Sequence, residues 1–402
     1  MVEAGHSARF PGRASWLELN ASAARRNIEV FRGILGAEPR RRIAGVLKAN
    51  AYGHGLRELL PVVHDSLDTI DVITATDALT IRDWEAATGR SSRQIVVLGT
   101  TTPDEVIALS QAGVDVVLAD DDWRAAVAAL RRARLPLRAR VHVHLDTGLG
   151  REGFTPGQLP ALCEALRDCS DVLDVQGVLS HFANTEDVTE QSYAEAQLDV
   201  FDTGFRFLQE QLRLPSTTER HFAASAATMV LPKARFDVVR IGVSLYGLWP
   251  STETRISARL VLDGVPALEP VLTWKCPSQT VKRLPAGAYV GYGCTWRCPV
   301  ETTIAVLPVG YSDGYPRLLS SRAHVLVNGA RCPVIGRVMM NHIVVDISRA
   351  APSGGPILAT LLGRDGSESV PAELLADWAQ TINYEVVARL GAHLKRVVIG
   401  EA

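Results

Sequence analysis

Between residues 42 and 247 the chain repeats one alternation. Short apolar runs rich in β-branched residues give way to segments whose apolar positions recur at three and four. The runs are RIAGVLK (42–48), DVITA (71–75), QIVVLG (94–99), DVVLA (115–119), RARVHVHLD (138–146), VQGVLSH (175–181), RHFAA (220–224) and VVRIGVSLYG (238–247). Near-continuous apolar runs suit strands buried on both faces of a parallel sheet. The intervening DDWRAAVAALRRA and TPDEVIALSQAG have helical spacing, with Asp121, Asp122 and Thr102 at N-cap positions. Eight βα units in about 250 residues is the size of a (β/α)8 barrel of the TIM type.

The pattern changes after about residue 250. Helical periodicity fades, and short alternating runs take over: VLTWKCP, AYVGYGCTW, TTIAVLPVGY, HVLVNGARCPVIGRV, HIVVDIS and PILATLLG. Asn328-Gly329 between two β-runs is a hairpin signal. The expected architecture is therefore α/β followed by β. An N-terminal (β/α)8 barrel spans residues 1–250, and a C-terminal mostly-β domain spans 251–402.

Composition narrows the function classes. The chain has 402 residues, 47% of them hydrophobic, enough for two cored domains. A formal charge of -2 with scattered arginines gives no nucleic-acid footprint. No apolar stretch approaches the ~20 residues of a membrane helix. The first residues, MVEAGHSARFPGRASW, have no apolar leader core, so a cytoplasmic setting is expected. The six cysteines form no CxxC pair. Cys294 and Cys298 lack a second ligand pair, so free thiols are expected and no metal site.

Polar residues gather where the barrel strands end, which is where barrel chemistry collects. Lys48 ends the first run and Arg151 follows the fifth. His181 ends the sixth, Ser225 follows the seventh, and Arg240 and Gly242 lie in the eighth. Singly, each has an ordinary explanation: a solvated lysine, a core histidine, a capping serine. Arg240 resists one, because a guanidinium inside FDVVRIGVSLYG needs a buried partner. Together they describe more. A partly desolvated lysine attacks an aldehyde, loops after strands seven and eight cradle a phosphate, and an arginine faces a ring nitrogen. That combination describes pyridoxal phosphate.

VLKANAYGHG, HLDTGLGREGF, SHFANTED, RFDVVRIGVSLYG, VGYGCTW, LPVGYSDGYPR, VNGARCPVIGRV and TINYEV run in order along nearly the whole chain. With them the sequence resembles the alanine racemase family, pyridoxal phosphate enzymes of fold-type III. The resemblance implies a role for each site residue. Lys48 holds the cofactor and serves as one catalytic base. Tyr52, Ser225 and the backbone at Gly242 and Val243 contact the phosphate. Arg240 faces the pyridine nitrogen beside His181, and Arg151 lies near the cofactor O3′ and the substrate carboxylate. Tyr292 is the second base and the Met340 N–H meets the substrate carboxylate, both offered to a second copy in a homodimer. Arg240 acting through His181 is expected to draw the phenol down from its ordinary pKa of about 10. Tyr311, Arg317, Arg337 and Glu186 match a polar entrance funnel.

Three positions depart from the common pattern. His144 stands where many relatives have a lysine that steers Arg151; its ring nitrogen is able to orient the guanidinium but supplies no fixed negative charge, and the sequence does not decide whether it compensates. Met339-Met340-Asn341 replaces Cys-Met-Asp. Ala392 falls where a tyrosine usually walls the substrate pocket. The smaller residue points to a racemase of broadened or shifted specificity, toward serine or a larger amino acid, as the alternative to plain alanine racemisation. A non-catalytic pyridoxal phosphate binder needs neither Tyr292 nor the β domain, which argues against that reading.

Overall fold

A computed structural model describes residues 14–186, 190–262, 264–350 and 357–400. Most of the N-terminal stretch without a leader core (1–13), Asp187 of the SHFANTED motif, Pro356 of the PILATLLG run and residues 401–402 lie outside them. The chain divides into two compact units. One comprises Ala24–Ala49 and Val63–Glu269. The other takes Asn50–Val62 together with the chain up to Ala23 and from Pro270 onward.

Strand β1 (Trp16–Asn20) opens the described chain and belongs to the second unit. The first unit is a closed barrel of eight strands, all paired in parallel. They are β2 (Arg42–Val46), β3 (Thr69–Val72), β4 (Gln94–Val97), β5 (Asp115–Leu118), β6 (Ala139–His144), β7 (Leu173–Leu179), β8 (Glu219–Ala224) and β9 (Val238–Ile241). All eight strands and the closure match the expected architecture. The capping signal at Thr102 also holds, as a reciprocal box with Glu105. The strands stop sooner than their apolar runs. Lys48 and His181 lie two residues past strand ends, and VVRIGVSLYG leaves the ladder at Gly242 for a 3-10 turn over Val243–Tyr246. The runs stay apolar because these rim segments are still buried, as Leu47 and Tyr246 show.

The N-terminal ends of the barrel strands carry a buried polar network. Asp115 accepts from Arg140 Nε (2.6 Å) and His142 Nε2 (3.1 Å). Glu219 meets Arg42 (2.5 Å) and His221 Nε2 (3.0 Å), and Gln94 Nε2 bridges to both carboxylates. Glu219, His142 and His221 bring three metal-competent atoms within 4.8 Å of one another. Arg140 and Arg42 pair with the two carboxylates, while His142 Nδ1 and His221 Nδ1 are buried without a partner among the described residues. This is the end of a barrel that serves stability.

In the second unit β1 is an interior strand, one in from the edge. It pairs antiparallel with β10 (Leu272–Pro277) and parallel with β20 (Lys395–Ile399). The sheet continues from β10 through β18 (Leu358–Asp365) to β15 (His324–Val327) and β16 (Ala330–Pro333), with β19 (Glu368–Val370) beside β18. Asn328 and Gly329 join β15 to β16 with φ of 51° and 72°, the two positive values a type I′ turn requires. A smaller sheet holds β11 (Thr280–Leu284), β14 (Thr302–Leu307) and β17 (Ile343–Asp346). A two-stranded ribbon of β12 (Tyr289–Val290) and β13 (Trp296–Arg297) completes the set.

Candidate active site

Lys48 follows β2 at the rim of the barrel. Its amine is held below the usual lysine range, first by burial and then by the fields of Arg151 and Arg240. Lowering the pKa raises the share of free amine at neutral pH, which is what a nucleophile or base needs.

Arg240, on β9, is only 4% exposed. Its Nη2 donates to the Ser180 carbonyl (2.5 Å) and lies 3.3 Å from His181 Nδ1. Arginine has no acceptor, so His181 must accept there and carry its proton on Nε2. The assignment agrees with the electrostatics: burial, Arg240 and Arg151 push the imidazole down to about 3. Burial also draws Arg240 down to about 10, against the opposing pull of Asp71. The Arg240 Nη1 is buried and has no partner among the described residues.

Sequence reasoning missed Asp71. It is fully buried on β3, both carboxylate oxygens lack a partner among the described residues, and burial pushes the carboxyl up to about 7. The available signal was an acid interrupting the apolar strand TIDV.

His144 ends β6 and is buried. Burial, Arg240 and Arg151 drive it down to about 3, so it is a neutral ring. No bond joins His144 to Arg151. His144 Nδ1 has no partner among the described residues, while Arg151 donates to Glu152 Oε1 from Nη2 (2.7 Å) and Nε (3.1 Å). A charged carboxylate one residue away outcompetes a neutral imidazole for a guanidinium.

Ser225 is the first residue of the short helix Ser225–Val230, not its cap. Its Oγ accepts the Gly242 N–H at 3.0 Å. Gly242 is therefore engaged, and the donors left at this corner are the Ser225 hydroxyl and the Val243 N–H.

Lys48, Arg151 and Arg240 thus form one cationic cluster with two uncharged imidazoles, offset by Glu152 and Asp71. Such a set is short of negative charge. Pyridoxal phosphate fits it: an aldehyde for Lys48, a phosphate for the Ser225 and Val243 donors, and a ring nitrogen for the unused Nη1 of Arg240.

Residues after Lys48 depart from ordinary backbone geometry. Ala49, Asn50, Ala51 and Tyr52 have φ of 53°, 55°, 52° and 52°, one left-handed helical turn. Each such residue costs roughly 1–2 kcal/mol. Within the second unit, neighbours hold the turn. Asn50 Oδ1 accepts from the Leu56 N–H (2.9 Å), and Arg396 Nη2 donates to the Gly53 carbonyl (2.8 Å). Tyr52 lies 6.4 Å from the Tyr384 ring, and burial raises its phenol to about 12, so it remains a donor.

Tyr292 and Met340 also belong to the second unit. Tyr292 opens a 3-10 turn between β12 and β13, flanked by Gly291 and Gly293 at φ of 73° and 75°, and is 72% exposed. The Arg337 guanidinium lies against Gly293, within 3.2 Å of where a Cβ would stand. Met340 is exposed in the loop before β17, against the Tyr311–Asp313 turn. Ala392 presents a single exposed methyl, and its carbonyl accepts from Arg396 Nη1 at 3.3 Å. Arg317 is exposed and Glu186 half-buried.

Comparisons with known proteins agree along the chain. Residues 19–250 match the family model for the alanine racemase N-terminal domain, and 271–398 match that for its C-terminal domain. An alanine racemase of Desulforamulus reducens is 40% identical over 96% of this chain and 99% of its own. One from Leptospira interrogans is 34% identical over 99% of both chains. The crystal structure of alanine racemase from Bacillus anthracis with bound L-Ala-P superposes with a TM-score of 0.86. It is 28% identical and covers 97% of this chain and 96% of its own.

Proposed function

This chain belongs to the alanine racemase family of isomerases, and from that premise we propose that it interconverts L- and D-alanine with pyridoxal phosphate by a two-base mechanism. Lys48 serves one face of the substrate α-carbon and Tyr292 of a second copy serves the other. The observation that carries the reading is the cationic rim: Lys48, partly desolvated, under the fields of Arg151 and Arg240.

Lys48, Tyr52, Arg151, His181, Ser225, Arg240 and Val243 would hold the cofactor, with the Gly242 N–H fixing the Ser225 hydroxyl. Bound pyridoxal phosphate supplies the electron-withdrawing ring that acidifies the substrate α-hydrogen. Arg240 would donate from Nη1 to a ring nitrogen and hold it unprotonated, which would limit side reactions. His181 accepts from Arg240 and fixes its plane. Arg151 leaves Glu152 to meet the substrate carboxylate, with the Met340 N–H as the second contact. The Lys48 amine and the Tyr292 phenol then each take or return one proton at the α-carbon. The setting is cytoplasmic, which suits six unpaired cysteines.

A two-base enzyme leaves a distinct trace when one base is lost. Tyr292→Phe is expected to cut racemisation roughly 10²–10⁴-fold in both directions. Lys48 still exchanges the α-hydrogen of one enantiomer with D2O, seen by NMR. Undiminished racemisation in both directions by Tyr292→Phe would refute the assignment.

Ala392 favours a second reading, broadened specificity. Its methyl is all that stands where the resemblance places a phenol. Serine turnover within about tenfold of alanine is expected, since one pocket change is worth only ~1–3 kcal/mol. A serine rate a thousandfold below alanine would leave an ordinary alanine racemase.

A further inference from the structure

The proposed mechanism gives the Met340 N–H to the substrate carboxylate. Loop 339–341 is built to present this one group. The Met339 carbonyl accepts from the Tyr311 N–H at 3.1 Å. The 339–340 peptide is trans, so its N–H points away from its carbonyl. Anchoring the carbonyl on Tyr311 therefore turns the Met340 N–H outward, where no described residue accepts it. Met340 is 56% exposed.

The next carbonyl is fixed twice. Met340 O accepts from the Ser312 N–H (3.0 Å) and from the Ser312 hydroxyl (2.8 Å). Gly310 makes the approach possible, because a Cβ there would stand 2.2 Å from Met339 O and 2.3 Å from Met340 O. Asn341 then lies 2.8 Å from Ser312 Oγ through its Nδ2.

The direction of this chain of bonds is determined. A carbonyl only accepts, so the single hydroxyl proton of Ser312 is committed to Met340 O. Ser312 Oγ must then accept from Asn341. The rival acceptor, Asp313 Oδ2, is 3.5 Å away and already takes the Gly310 N–H at 2.8 Å.

We propose that Asn341, acting through Ser312, is a positioning residue that holds the Met340 peptide with its N–H aimed at the substrate carboxylate; this role rests on the proposed mechanism. In this chain the bond to Ser312 needs a donor at position 341, which the amide supplies. An aspartate has no proton to give at neutral pH and competes with Met340 O for the Ser312 hydroxyl. It also sets a negative charge beside an N–H meant for an anion. Asn341→Ala removes the donor without the charge, so its effect is smaller.

The test uses the holoenzyme labelled with 15N-methionine. The chain has four methionines, and Met340→Leu identifies the relevant amide signal. The probe is propionate, which has the carboxylate but no amine. In the unaltered protein the Met340 amide is expected to shift saturably with propionate. Asn341→Asp should raise the propionate Kd and the alanine KM roughly tenfold, about the loss of one hydrogen bond, with the change on KM rather than kcat. Asn341→Ala should fall between. Unchanged propionate binding and KM in Asn341→Asp would overturn the inference while leaving the Met340 assignment intact. An amide that saturating propionate does not move in the unaltered protein would overturn that assignment, and the inference with it.

Discussion

Lys48 was legible only in company, as one of several polar groups gathered at the strand ends, and Arg240 because a guanidinium inside an apolar run needs a partner. Asp71 was not legible. The apolar run DVITA puts it at a strand end, whereas β3 begins at Thr69 and places it inside. The partner of Arg151 was not legible either, for a different reason. Glu152 lies next in sequence, and its negative charge decides the partner. Asp71 also carries a testable pH dependence. Its carboxyl is raised to about 7, mainly by burial and despite Arg240 and His142, from an ordinary value near ~4. The folded chain therefore binds more protons than the unfolded chain between those values, so stability falls as pH rises through that window. Asp71→Asn removes the penalty. Urea denaturation should show Asp71→Asn more stable than the parent at pH 8, by on the order of a few kcal/mol, and equal at pH 4. Equal stability at both would mean that Asp71 is not raised.

Periodicity identifies the barrel elements well because each strand is buried on both faces and each helix on one. It identifies the later elements less well. The helix Thr252–Val261 lies just past the point where helical spacing fades, and its signal was local: the Ser251 side chain accepts from the Thr254 N–H at 3.0 Å. Ala372–Ala379 and Asn383–Ala388 are too short for a stripe to declare itself. No pattern of apolar positions announces the left-handed turn after Lys48. The glycines of AYGHG hint at a tight loop, but four consecutive non-glycine residues at positive φ depend on tertiary neighbours. Gly53 shows how closely those neighbours crowd the turn. Its φ is 78°, and a Cβ would stand 1.9 Å from the Val387 carbonyl oxygen. Gly53→Ala is expected to destabilise the protein by more than ~2 kcal/mol, read as a lower urea midpoint at constant slope. A midpoint within error of the parent would show that the turn has room to relax.

At the scale of the whole chain, sequence order conceals what belongs together. β1 precedes the barrel yet pairs with β10 and β20, roughly 250 and 380 residues later, and Asn50–Val62 joins the same unit. Apolar spacing identifies strands but carries no address for their partners, so a linear division into two domains had no way to express this. The same limit applies to the active site. Lys48 lies in one unit and Tyr292 in the other. The proposed mechanism brings them together between two copies of the chain, and a closed two-fold dimer then completes two sites at once. That arrangement has a numerical consequence. Mix equal amounts of Lys48→Ala and Tyr292→Phe chains, each inactive alone, and let subunits exchange. Half of the dimers become mixed, and each mixed dimer has one site with both bases intact and one with neither. About a quarter of the unaltered racemase activity should return, with the dimer mass confirmed by light scattering. If subunits exchange and no activity returns, Tyr292 does not act across the interface.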